Sequence, residues 1–350
     1  AFTPSNGFLS ALAVLLALAY AVLAVTATVE KSMTADEIAH LTAGQAYNTL
    51  GDYRLQPENG NLPQRWAALP ATLARAPLPP TSLQIWRDAD VWNYGHAFFY
   101  EQPLPAGSLL FAGRAMVALF SAATGLLVFF WSRALFGWRG AFLSLVFFVF
   151  CPAFLAHGAL ATSDVVMTFF FLAAVGAWWR HLERPGAGGA ALSATTFGLA
   201  CVAKFSAVLL APMFGLIALV WMAGRSGAGG WRAPLGRVVR STVAHAAVGW
   251  VMIWLFYGFR FSAFAPALAD GASYNHGWGW LVSDLGWPRR ILLGLREWHV
   301  LPDAFLYGFT FVLQFAKQRG AFLNGDYSIH GWFSFFPYAF LVKTTLPFLL

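Results

Sequence analysis

The stretch Thr34-Ala35-Asp36-Glu37-Ile38-Ala39-His40 sets two neighbouring carboxylates and, four residues after the first, an imidazole. Thr34 and Glu37 have the spacing of a capping box, so a helix is expected to begin at Thr34. Asp36 then falls in its first turn, where unpaired backbone N–H groups and the helix dipole attract negative charge. His40 lies one turn further on the same face. A carboxylate held there can take a proton from an incoming hydroxyl or amine. The same pattern also fits an acid that only caps a helix, and the local spacing does not separate the two readings. A single imidazole without spaced partners is not a metal signature.

Other charged residues interrupt apolar runs. Asp164 follows Ser163 at the head of a long apolar segment, and Lys204 separates two more. An unpaired charge at such a boundary is costly, so Lys204 is expected to meet a phosphate or Asp164, or else to reach the headgroups. Asp164 either caps its helix or orients a cation or an acceptor. Arg65, Arg260 and Lys343 are further candidate cations for a departing anionic group. Glu58, after Pro57 in a turn-rich stretch, reads on its own as a solvated loop acid.

These residues need a membrane to hold them. Of 350 residues 59% are hydrophobic and only 11% charged, too few charges to cover a soluble chain of this length. Apolar runs near 8–29, 107–132, 141–157, 164–179, 190–203, 205–223, 241–258 and 335–350 predict about eight spanning helices, hence an all-α polytopic fold. The short loops holding Arg133 and Arg139, Arg180 and Arg184, and Arg225, Arg232, Arg237 and Arg240 are expected on the cytoplasmic side. Two long segments, 30–106 and 259–334, then lie on the extracytoplasmic side as folded loops carrying interfacial helices. The net charge of +7 is accounted for by topology and anionic lipid, and calls for no nucleic-acid partner. Cys151 and Cys201 sit in apolar runs and make no disulfide framework. The chain begins at Ala1 and stops at Leu350 inside an apolar run, so it is expected to be one membrane domain, incomplete at its C-terminal end.

The order of motifs resembles a known family. Asp36-Glu37 after a first span, His40, Gly44, Tyr47, the run Gly51-Asp52-Tyr53-Arg54-Leu55 and Pro57-Glu58 are similar to the GT-C glycosyltransferases. The likeness is to the bacterial phospholipid-carrier-dependent branch, related to protein O-mannosyltransferases and lipid A aminoarabinose transferases. His157 to Asp164, Leu199 to Ser206, and Gly325 to Thr344 add shorter islands of likeness. The resemblance implies inverting transfer of a sugar from a polyprenyl-phosphate carrier to an acceptor on the extracytoplasmic face of a bacterial inner membrane. Asp36 would be the catalytic base, with Glu37 beside it and Asp164 as a second acid. Apart from the resemblance, the residues themselves make Lys204, Arg260, Arg65, His40 and Lys343 the candidate substrate-binding groups. Glu58 falls on an acid that holds a divalent metal ion in some relatives, whereas Asn59-Gly60-Asn61 replaces the cation that often follows it there. The acceptor, whether protein, lipid or cell-envelope glycan, is not specified. A membrane transporter or lipid flippase is the alternative from another class. It would be expected to carry polar groups at mid-bilayer and paired halves, and the acids here cluster instead in a loop.

Overall fold

The computed structural model describes residues 5–225, 231–318 and 320–349. Helix α1 (Asn6–Thr26) leads through a short turn into α2 (Ala35–Thr49), which begins where the capping box placed it. Next come α3 (Asn61–Ala67) and α4 (Val91–Tyr100), and then the long α5 (Ala106–Val149). The remaining long helices are α6 (Asp164–Glu183), α7 (Ala187–Ala203), α8 (Leu210–Ala223) and α9 (Arg232–Phe256). Beyond them lie α10 (Pro288–Glu297), α11 (Asp303–Phe315) and α12 (Phe335–Lys343). The one sheet among the described residues is a hairpin of β1 (Ala321–Leu323) and β2 (Asp326–Ser328) turned at Asn324-Gly325. The chain is an all-helical polytopic membrane protein, as its composition requires.

Among the described residues five helices are long and apolar enough to cross a membrane: Asn6–Thr26, Ala106–Val149, Asp164–Glu183, Phe205–Ala223 and Arg232–Phe256, with α7 a shorter apolar one. The runs at 107–132 and 141–157 were expected as two helices with a loop between. They form one element interrupted only at Gly137, whose backbone (φ 70°, ψ −169°) lies outside helical space and suits a residue without Cβ. Arg133 and Arg139 therefore sit in helix on either side of the break. The second leg stops at Val149, because Pro152 cannot continue the backbone hydrogen bonds and starts the separate turn Pro152–His157.

Two other boundaries differ. Helix α9 starts at Arg232 rather than near 241, so the charged turns holding Arg237 and Arg240 are helical. The run 335–350 is not one helix: Thr344 is extended, and a short turn Leu346–Leu349 with Pro347 near its start follows. Leu350 lies outside the described residues.

Packing brings the chemistry to one end of the bundle. Helix α7 packs along α6 and α9, and α1 along α5, while α2 rests on α3 and α4. One apolar core joins Ala39, Ala43, Ala46 and Tyr47 of α2 to Val202 of α7, Ile253 of α9 and Ala304 of α11. The two long loops are also tied to each other. The Asp52–Arg54 pair is fully buried at 2.9 Å. Arg54 donates to the carbonyls of Arg87 (3.1 Å) and Ser273 (2.8 Å), while Asp52 accepts from the Ala265 N–H at 3.1 Å. Tyr53 N–H donates to Ala263 O at 2.8 Å between them.

Candidate active site

The site is built on the first two turns of α2. The backbone N–H of Thr34 donates to Glu37 Oε2 at 2.9 Å, which closes the capping box. Glu37 is wholly buried. Arg114 of α5 grips it with two hydrogen bonds, Nε to Oε1 at 2.8 Å and Nη2 to Oε2 at 2.7 Å, and the Ala161 N–H adds a third contact at 3.0 Å. The rest of the guanidinium donates to the carbonyls of Thr28, Lys31 and Ser32. All five donors of a guanidinium are then used. Burial alone pushes the Glu37 carboxyl up, but the Arg114 hydrogen bonds, the Thr34 and Ala161 N–H groups and the Arg114 charge outweigh it and hold it below its usual range. Glu37, expected beside the base among the catalytic residues, thus has its carboxylate committed to the framework.

Asp36 is the residue this framework presents. It is exposed, and among the described residues its carboxylate has neither an ion pair nor a hydrogen bond. His40, one turn on, is buried, and its Nδ1 lies 2.7 Å from the Asp36 carbonyl oxygen. A carbonyl only accepts, so Nδ1 carries the proton by inference and Nε2 is left as a buried lone pair without a partner. Burial keeps the imidazole below its ordinary range; the Asp36 carbonyl and the charges of Asp36 and Asp164 oppose this, while that of Lys204 adds to it.

Those charges identify the neighbours. Lys204, extended at φ −166° and ψ 149°, ends α7, and Asp164 opens α6. Their side chains meet with Nζ 2.5 Å from Oδ1, the partnership the sequence left open for Lys204. Both remain open to solvent, 34% and 59% exposed, so a ligand can reach either. Asp36, His40, Asp164 and Lys204 therefore share one corner, formed by the starts of α2 and α6 and the end of α7.

Glu58 flanks that corner on the loop before α3. The loop is seated against the last turn of α7: a Cβ on Gly60 would stand 1.7 Å from Ala203 O, next to Lys204. Desolvation pushes the Glu58 carboxyl up to about 7. Its charge acts on the phenols of Tyr47 and Tyr307. The donor set does not suit a divalent ion. Among the described residues no three His, Cys, Asp or Glu side chains stand together as a metal site. The metal expected at Glu58 has no ligand set here.

Among the described residues the other expected cations make no ion pair with Asp36 or Asp164. Arg65 donates to Asn48 Oδ1 at 2.9 Å and to Phe256 O at 3.1 Å, closing the end of α9. Arg260 donates to the carbonyls of Ser262 and Gly51 and lies 5.2 Å from the Tyr53 ring centre. Lys343 is exposed at the end of α12. Arg114 lies inside an apolar run with no other charged residue between Glu101 and Arg133, so no neighbour in sequence points to its partner. A lone arginine inside the run 107–132 was its signal, since an unpaired charge there is costly.

An all-helical membrane chain with an acid, an imidazole and a lysine–carboxylate pair gathered at one end of its bundle is the class defined so far. Residues 106–256 match the model of a family described as dolichyl-phosphate-mannose-protein mannosyltransferase, and this supports a GT-C glycosyltransferase. The match runs from α5 to α9, so it includes Arg114, Asp164 and Lys204 and stops short of Asp36 and Glu58. No curated protein and no solved structure matches the chain.

Proposed function

We propose that the chain transfers a sugar with inversion from a polyprenyl-phosphate carrier to a hydroxyl or amine, at a site on the extracytoplasmic face of a bacterial inner membrane. The supporting observation is the corner itself, an unpaired exposed carboxylate at Asp36 near an accessible Lys204–Asp164 pair. Asp36 accepts the proton of the acceptor group as its oxygen or nitrogen bonds to the anomeric carbon. The bond from that carbon to the phosphate oxygen breaks on the opposite face, which inverts the centre. The phosphate leaves as an anion and needs a cation more than a proton, and Lys204 supplies one while Asp164 holds its ammonium in place. His40, neutral, donates from Nδ1 to the Asp36 carbonyl oxygen and so steadies the turn that carries the base. Glu37 and Arg114 set the first turn of α2 and take no part in bond making.

The experiment is transfer by the purified chain from a polyprenyl-phosphate sugar, compared with Asp36→Asn. Loss of transfer in the variant, with its thermal stability kept, is the expected result. Undiminished transfer would remove Asp36 from the mechanism, and no transfer by the unaltered chain from any polyprenyl-phosphate sugar would remove the reaction.

A further inference from the structure

Helix α10, with its capping residues Trp287 and Trp298 on either side, carries an apolar stripe that no part of the described chain covers. Trp287, Ile291 and Trp298 are 78%, 53% and 82% exposed. At about 100° per residue the three fall within a sector of roughly 40°, with Arg290 about 60° to one side. The opposite face is the packed one. Leu292 is buried with Val282 and Leu285 against Phe309 and Leu313, and Arg296 pairs with Asp303 at 2.7 Å. Two large indoles and an isoleucine in water would be costly.

A second observation tells what lies against the stripe. The indole N–H groups of Trp250 and Trp254, in the last two turns of the spanning helix α9, donate to Val300 O at 2.7 and 3.2 Å. The connector from Trp298 to Val300 is thereby held alongside a helix of membrane-spanning length, below its end at Phe256. Trp298 thus lies two residues from a carbonyl bound to the last two turns of α9, and indoles concentrate where a spanning helix meets the bilayer boundary. Trp250 is itself 47% exposed beside it, which extends the apolar surface onto the spanning helix. The exposed charges fit the same neighbour. Arg289 and Arg290 are exposed and have no ion-pair partner among the described residues, and the acids nearest in sequence are Asp284, whose carboxylate accepts from the Ser283 hydroxyl, and Glu297 at the far end of the helix.

We propose that the Trp287–Ile291–Trp298 face of α10 is seated in the bilayer interface, with Arg290 on the phosphate of a surrounding anionic phospholipid. The second long loop would then be anchored at two places: through α11 to the core and through α10 to lipid. This anchor stands apart from the transfer reaction and does not require Asp36 to be a base.

The test uses the full chain in lipid nanodiscs with a nitroxide at Ile291→Cys, Cys151 and Cys201 having been replaced by Ser. A second label at Asp284→Cys, an exposed position on the preceding turn, serves as the aqueous reference. Faster relaxation by oxygen than by a water-soluble nickel chelate at 291, and the reverse at 284, is expected. Equal nickel access at both positions would overturn the proposal. Independently, the unlabelled chain and Arg290→Gln are compared for anionic phospholipid retained in native mass spectrometry. A loss of about fivefold is expected for the variant. Undiminished retention, or retention that only polyprenyl phosphate and not phospholipid supports, would overturn the assignment to bulk lipid.

Discussion

Arg114 and Glu37, 77 residues apart in the chain, are joined by two hydrogen bonds of 2.8 and 2.7 Å, with both side chains almost wholly out of solvent. The pair links the spanning helix α5 to the first turn of α2, the turn that carries Asp36. Removing one partner leaves a buried charge uncompensated, which costs about 3–5 kcal/mol. Arg114→Met should therefore lower the thermal midpoint sharply and reduce transfer with it. Glu37→Gln keeps the shape and should be milder. The pH dependence has a defined sign. The folded-state pKa of Glu37 lies below its unfolded value, so its contribution is present at neutral pH and is lost as pH falls through the depressed folded pKa. Melting curves at falling pH should converge for Glu37→Gln and the unaltered chain.

Asp36 makes no contact that the fold depends on. Exposed substitutions of that kind usually shift stability by less than about 0.5 kcal/mol. Asp36→Asn should then leave the melting temperature in place while transfer falls about a hundred- to ten-thousand-fold, the range typical of losing a general base. A variant with normal stability and normal turnover would exclude the role.

Lys204 and Asp164 should separate kinetically. If Lys204 meets the departing phosphate, Lys204→Met removes an interaction made mainly in the transition state, and kcat should fall by roughly 100- to 1000-fold with a smaller change in KM. Asp164→Asn leaves the ammonium present and only loosens it, so a lesser loss is expected. Equal losses in the two variants would argue that the pair acts as a unit, in which case the double variant should be no worse than either single one.

Part of this corner was legible in the sequence because its signals are local. The Thr34–Glu37 spacing announced the start of α2, and Lys204 between two apolar runs announced a charge in need of a partner. What stayed hidden is long-range. Nothing near Arg114 in the sequence points to Glu37, and nothing near Arg65 points to the carbonyl of Phe256, because a backbone acceptor carries no residue signature. Arg65 and Arg260 read as phosphate cations, and their hydrogen bonds to the carbonyls of Phe256 and Gly51 have no signature in the sequence. Span boundaries failed where composition misleads: the charged turns around Arg237 concealed the start of α9, and Pro152 and Thr344 broke runs whose hydropathy is continuous. The Asp52–Arg54 pair has a local mark, opposite charges at i and i+2, while its link to the carbonyl of Ser273 has none.

Gly60 is needed for space rather than for an unusual backbone angle, since its φ is −65°. A methyl group at that position would lie 1.7 Å from Ala203 O, inside contact distance of backbone that cannot move without shifting Lys204. Gly60→Ala should destabilise by about 1–3 kcal/mol, the usual cost of overpacking. It should also lower transfer more than stability alone explains, because it displaces the residue next to the phosphate cation. Activity measured well below the variant's melting temperature checks this: full activity there would show that the seat of the loop on α7 does not govern the site.

Glu58 gives the opposite pH signature to Glu37. Desolvation raises its folded-state pKa to about 7, above the ordinary value of 4.5. The folded chain therefore binds the Glu58 proton more tightly than the unfolded one, and stability falls as pH rises from the ordinary carboxylate range through about 7. No cation pairs with the carboxylate among the described residues to offset this. Glu58→Gln removes the titration and keeps the shape. Its melting temperature should match that of the unaltered chain near pH 5 and exceed it near pH 8. A divalent ion held by Glu58 would reverse that result, since the ion favours the carboxylate: the unaltered chain would then be the more stable at pH 8, and a chelator would abolish its advantage.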